Sequence, residues 1–226
     1  MSKATKRRDY SALVFERKRC RRCVGLVNPG SRSLAKFDSD KIGPWTRLHG
    51  DLGAKLMIVG QDWGGIRYFK ENAGLDKLNN PTIKTLQRLL DSIGFKVSLA
   101  SYQSGDSGLF LTNAVLCLKD GDLQAGVQKR WFTNCGHHFL RHQIEIVAPT
   151  VVVTLGQRAY EATVDAFGFE VEPFRTAVEN SRGVILANGS ALVPVYHCGN
   201  RILNTHRPLV TQIKDWNRVK RALADE

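Results

Sequence analysis

An α/β fold with one parallel sheet covered by helices is the class the sequence predicts, and three observations carry it. Four short apolar runs, at residues 56–60, 109–117, 151–155 and 192–197, each close in glycine or a polar turn, as strands buried on both faces do. The segments between them carry helical spacing and are long enough for right-handed crossovers. The 226 residues are 42% hydrophobic, enough for one sizeable core, and no repeat or low-complexity linker divides them. One domain over residues 1–226 is expected.

Residues 1–9 are polar and basic and are expected to form a flexible basic tail. Residues 11–23 have helix-like spacing at Leu13, Val14 and Arg17 and carry Cys20-Arg-Arg-Cys23. Residues 28–33 read as loop, and residues 40–53 as irregular chain packed down by Trp45 and Leu48. After the first strand, Arg67 to Gly74 continues the loop. Pro81 opens a helix with Ile83, Leu86, Leu89, Leu90 and Ile93 on one face, and Gly94 stops it, the usual asymmetry of helix ends. A loop with Gly121 and Gly126 precedes a helix over residues 131–147, which Pro149 breaks. A helix follows from Arg158, residues 184–187 suit a minor edge strand, and Leu209, Ile213, Trp216 and Val219 mark an amphipathic C-terminal helix.

The formal charge is +12 and the pI about 9.7, with basic residues crowded into residues 3–22 and 201–221. Such clustering implies a polyanionic partner, nucleic acid ahead of an anionic membrane surface. No apolar run reaches membrane-spanning length, and no apolar core follows the basic N-terminus as in a signal peptide. A cytoplasmic, reducing setting is expected, in which the five Cys serve as ligands or thiols rather than disulfides.

In open α/β sheets, chemistry gathers at the carboxyl ends of the strands. Here those ends are Gln61-Asp62 after Gly60, Asn113, Gly156-Gln157 and His197. If the strands are parallel neighbours, a carboxylate, an amide and an imidazole converge on one rim. That set can bind a planar hydrogen-bonding ring and move a proton. Asn113 suits base recognition because an amide offers a donor and an acceptor together. Taken singly, each has a plainer explanation: a solvated turn Asp, a backbone-satisfied amide, a core histidine. Their joint fall at strand ends favours a site.

Cys20-x-x-Cys23 joins two dispersed residues, Cys117 and Cys135, to make four thiols. Such a set suits an iron–sulfur cluster. It also suits zinc, since His137 and His138 adjoin Cys135. Spacing alone leaves both metals open, along with four unligated thiols.

Taken together and in order, these pieces resemble the uracil-DNA glycosylase superfamily, closest to its iron–sulfur branch, type 4. The likeness covers residues 15–208. It rests on the helix with Cys20 and Cys23, on Val59-Gly-Gln-Asp-Trp-Gly64, and on the stretch from Arg67 through Phe69 to Gly74. It continues through Leu111-Thr-Asn113-Ala-Val-Leu-Cys117, the segment from Cys135 to Ala159, and His197. Gln61-Asp62 replaces the Glu-Ala usual in type 4 and looks like the first motif of type 1, whose Asp positions the attacking water. Gly64 stands where type 1 has a thymine-excluding Tyr. The last motif, normally His-Pro-Ser, reads His197-Cys198-Gly199, which bears on the loop entering the minor groove and on base range.

The resemblance implies a three-layer α/β/α sandwich with a central four-stranded parallel sheet. It implies a [4Fe-4S] cluster on Cys20, Cys23, Cys117 and Cys135. It also implies a prokaryotic-type, monomeric enzyme that hydrolyses the N-glycosidic bond to uracil in DNA and leaves an abasic site. In that reading Gly60 and Gln61 belong to the substrate rim, Phe69 stacks on the base and Asn113 reads its edge. His197 donates to the O2 side of the leaving base, Asp62 orients water, and Arg201 or Ile202 wedges the vacated stack. Excision of another deaminated base such as hypoxanthine, or non-catalytic binding of uracil-containing or abasic single strands, stands as the alternative.

Overall fold

The structure is a computed structural model describing residues 1–31, 33–42, 50–77, 79–95, 108–120, 126–180 and 183–224. Trp45, Leu48 and Gly121 lie outside the described residues. In chain order the strands are β1 (Leu26–Val27), β2 (Leu56–Asp62), β3 (Leu109–Val115), β4 (Leu118–Lys119), β5 (Val151–Leu155), β6 (Val184–Ile185) and β7 (Ala191–Val195). The main sheet runs β3-β2-β5-β7-β6, and β1 pairs with β4 in a separate antiparallel ribbon. Its first four strands are parallel, with Ile58 level with Leu111 on one side and Val153 on the other, and Val153 level with Val193. The four-stranded parallel core is therefore as expected. Short β6 extends it at the edge, antiparallel to β7, within the segment read as a minor strand.

Alternation along the strands builds the three layers, because successive side chains leave opposite faces. Leu56, Ile58, Leu109, Leu111, Val151 and Val153 pack against α3 (Pro81–Ser92) and the C-terminal α9 (Leu209–Ala224). Met57, Val59, Phe110 and Val152 face the other way, toward α1 (Lys3–Arg19) and the rod of α4 (Lys129–Cys135), a π turn at Gly136–Leu140 and α5 (Arg141–Val147). On that side too lies α6 (Gln157–Ala166). The shorter helices are α2 (Ile66–Glu71), α7 (Phe174–Glu179) and α8 (Asn200–Thr205), with a single 3-10 turn at Ala35–Phe37. No described helix is long and apolar enough to cross a membrane.

Two segments depart from the sequence reading. The flexible tail expected over residues 1–9 is instead the start of α1, whose Ser2 hydroxyl accepts from the Thr5 N–H at 3.2 Å. Lys6 Nζ then reaches the carbonyls of Val147 (2.6 Å) and Leu52 (3.2 Å), docking the charged first turns onto the domain. That helix stops at Arg19 with Cys20 as its cap, so the Cys20–Cys23 pair sits in the turn beyond it. The loop expected after β2 contains α2, braced by an i,i+4 pair between Arg67 and Glu71.

Candidate active site

A cleft of about 770 Å³ opens at the carboxyl edge of the sheet, lined by Gly60, Gln61, Asp62, Asn113, Gly156 and His197 among others. The strand ends singled out in the sequence thus share one rim. β2 and β3 lie side by side with Gly60 level with Asn113, and β7 delivers His197 from across β5. Parallel register does this work, since it brings like ends of the strands together.

Asp62 is held at three points. Gln61 Nε2 donates to Oδ2 at 2.6 Å, the Gly64 N–H to Oδ1 at 2.8 Å, and buried Lys119 approaches Oδ1 at 3.3 Å. Gly64 makes its bond at φ +88°, a conformation side chains disfavour. A carboxylate accepts at about four positions, so these donors leave room for a water.

Asn113 is 7% exposed and lies across the backbone of β2. A Cβ on Gly60 would come within 2.1 Å of its amide, so only glycine lets the amide rest there. The ends of the amide meet Trp63 Nε1 at 3.1 Å and the Thr112 carbonyl at 3.2 Å. An indole nitrogen only donates and a carbonyl only accepts, which assigns the amide oxygen to Trp63 and the nitrogen to Thr112.

His197 Nδ1 accepts the Gly199 N–H at 3.0 Å. A neutral ring in that arrangement carries its proton on Nε2. Desolvation lowers its pKa from the usual 6.5, opposed in part by the Asp62 carboxylate. With the folded pKa below the unfolded one, only the unfolded chain takes up the proton as pH falls past 6.5, so stability drops until the folded pKa is reached. His197→Gln removes this contribution. Wild-type Tm minus variant Tm should shrink between about pH 7.5 and 5.5 in thermal melts, and a flat difference would contradict the depressed pKa.

Phe69 requires a correction. It is 1% exposed, enclosed with Leu34, Trp63 and Leu118 and edge-on to Phe37, and it does not line the cleft. Within α2 successive side chains point about 100° apart, so Tyr68 meets the cleft while Phe69 turns into the core. The aromatic residues lining the cleft are Trp63, Tyr68, Phe174 and Tyr196. Ile202 lines the mouth from α8, and Arg201 beside it is exposed.

Cys20, Cys23, Cys117 and Cys135 line a second cavity, of about 100 Å³, between the end of α1, the end of β3 and α4. Among the described residues no three His, Cys, Asp or Glu side chains are placed to close on one metal ion. His137 and His138 are exposed and do not line this cavity. Burial pushes the Cys117 thiol up to about 12 and that of Cys135 well above its usual value. Arg17, 1% exposed, lines the same cavity; its Nη atoms bind Asp38, Ser39 and Lys41. Its Nε is buried without a partner among the described residues. A buried donor beside four thiols suits an anionic occupant such as a thiolate-ligated cluster.

Comparison with known proteins agrees with this geometry. The family model for the Uracil DNA glycosylase superfamily matches residues 48–222, most of the chain. The chain belongs to that superfamily. It is also similar to a protein of Pyrobaculum aerophilum named type-5 uracil-DNA glycosylase, with 27% identity over 98% of this chain and 95% of the relative. The superfamily expectation holds, as does a glycosylase acting on DNA. These matches do not extend to a branch within the superfamily.

In this superfamily member, sequence reasoning missed Lys119 and Trp63. Lys119 is 3% exposed and follows a strand already assigned, so nothing in its neighbours marks a buried cation. Only the ribbon geometry, with Lys119 N–H bonded to the Gly64 carbonyl at 3.0 Å, carries it to Asp62. Trp63 was visible in the first motif, but the role of its N–H depends on where β3 sets Asn113.

Proposed function

We propose that the chain hydrolyses the N-glycosidic bond of uracil in single- and double-stranded DNA, as a monomer, leaving an abasic site. The observation that carries this reading is one cleft holding Asp62, Asn113 and His197, with His197 Nδ1 committed to a backbone donor. A uracil drawn out of the stack presents N3–H and O4 to the free valences of the Asn113 amide. Cytosine reverses that donor and acceptor, at a cost of about 1–3 kcal/mol. As the C1′–N1 bond breaks, its electron pair goes to N1 and the negative charge spreads to O2, where His197 Nε2–H donates. One preorganised donor of this kind typically contributes about 3 kcal/mol. Asp62 faces the sugar cation and orients the water that adds at C1′; the proton the water loses neutralises the uracil anion.

Ile202 and Arg201, on a short helix at the cleft mouth, are suited to fill the stack that the nucleotide leaves. The basic ends of the chain supply phosphate contacts. Cys20, Cys23, Cys117 and Cys135 would hold a [4Fe-4S] cluster, an anionic group that suits the one cavity these thiols share with Arg17, whose Nε is buried without a partner among the described residues. When bound, the cluster supplies a structural fastening between α1 and the ends of β3 and α4.

The test is a panel of labelled oligonucleotides, single- and double-stranded, carrying uracil, hypoxanthine, thymine or cytosine, treated with protein and then alkali. Cleavage at uracil well above the other bases is expected. Cleavage confined to hypoxanthine, or binding without cleavage, would overturn the assignment.

A further inference from the structure

We infer that Trp63 is a positioning residue that locks the Asn113 amide in the orientation that selects uracil over cytosine; this rests on the base-reading role proposed for Asn113. An amide reads uracil in one orientation and cytosine in the other, because a half-turn about its last torsion exchanges oxygen and nitrogen. Selectivity therefore requires that something forbid the half-turn. Two contacts do so. The Trp63 indole N–H donates to the amide oxygen at 3.1 Å, and the Thr112 carbonyl accepts from the amide nitrogen at 3.2 Å. Gly60 lets the amide lie flat against β2, where a Cβ would sit 2.1 Å from it.

After a half-turn, the amide N–H₂ would face the indole N–H and its oxygen the carbonyl, so both ends would lose their partners. Leaving buried donors and acceptors unpaired is costly. The Thr112 contact belongs to backbone and is common to any residue there, so the discriminating group is the indole nitrogen. Trp63 is 7% exposed and clamped by Leu34, Phe69 and Leu118, which keeps that nitrogen in place. The locked amide keeps one lone pair and one N–H for the base, and these match N3–H and O4 of uracil.

The experiment measures inhibition of uracil excision by free uracil and free cytosine, in wild type and Trp63→Phe. Phe retains an aromatic ring and removes the donor. The ratio of the two inhibition constants should narrow by about 10-fold or more. Damaged packing alone would weaken both bases and leave the ratio. Leu34→Ala, which disturbs the same cluster and keeps the indole, should lower Tm without moving the ratio; a moved ratio there would assign the effect to packing and overturn the inference. If Trp63→Phe does not fold, benzothienylalanine at position 63 replaces the N–H by sulfur at nearly constant shape and is read the same way. An unchanged ratio in an active variant overturns Trp63 alone. A wild type that leaves uracil uncut removes both this inference and the proposed function.

Discussion

Asp62→Asn is expected to lower kcat for uracil excision by roughly 10²–10⁴ with little change in KM. In the proposed mechanism the carboxylate stabilises the sugar cation, a charge that develops only in the transition state, so the loss falls on kcat. The substitution also has a structural consequence. Asp62 pairs with Lys119, their side chains 7% and 4% exposed, and removing one partner of a buried pair costs about 3–5 kcal/mol. A lower Tm alone would therefore say nothing about chemistry. The double variant Asp62→Asn with Lys119→Met separates the two effects. Replacing both charges restores much of the Tm, while kcat stays low. Single-turnover rates on uracil oligonucleotides, read beside thermal melts, check this. Recovery of rate together with Tm would reduce Asp62 to a structural partner of Lys119.

Cys135→Ser is expected to produce a second large loss, this time of stability. Cys135 is 7% exposed at the end of α4 and faces the thiols of Cys20, Cys23 and Cys117 across one cavity. If these hold a cluster, losing one ligand unfastens α1 from β3 and α4. Loss of a bound metal group ranks among changes worth roughly 4–5 kcal/mol or more, so Tm should fall by roughly 10–20 °C. Iron and sulfide analysis with the visible spectrum gives the complementary reading. The wild type should be brown with about four irons per chain, and the variant pale. A colourless wild type with one zinc per chain, or a Cys135→Ser variant with unchanged Tm, would contradict the cluster.

The sheet could be read from sequence because its strands are buried on both faces, so their apolar runs are continuous and end abruptly. β5 was located residue for residue on that basis. Parallel register then made the site legible in outline, since Asp62, Asn113 and His197 had only to stand at strand ends to meet. The start of α1 was not legible. Its first turns carry charge without an apolar stripe, and its order comes from Lys6 reaching carbonyls 46 and 141 residues away. Phe69 was misplaced for a related reason: a motif names the residue but not the face of a six-residue helix on which it falls. Lys119 escaped because a buried cation has no local signature, only a partner elsewhere in the chain.

The most direct measurement is the position of free uracil bound to the protein, determined by crystallography at saturating ligand. The account predicts its N3–H and O4 on the Asn113 amide, its O2 within hydrogen-bond reach of His197 Nε2, and its N1 edge toward Asp62. Uracil bound away from these three side chains, or no uracil in the cleft at saturation, would contradict it.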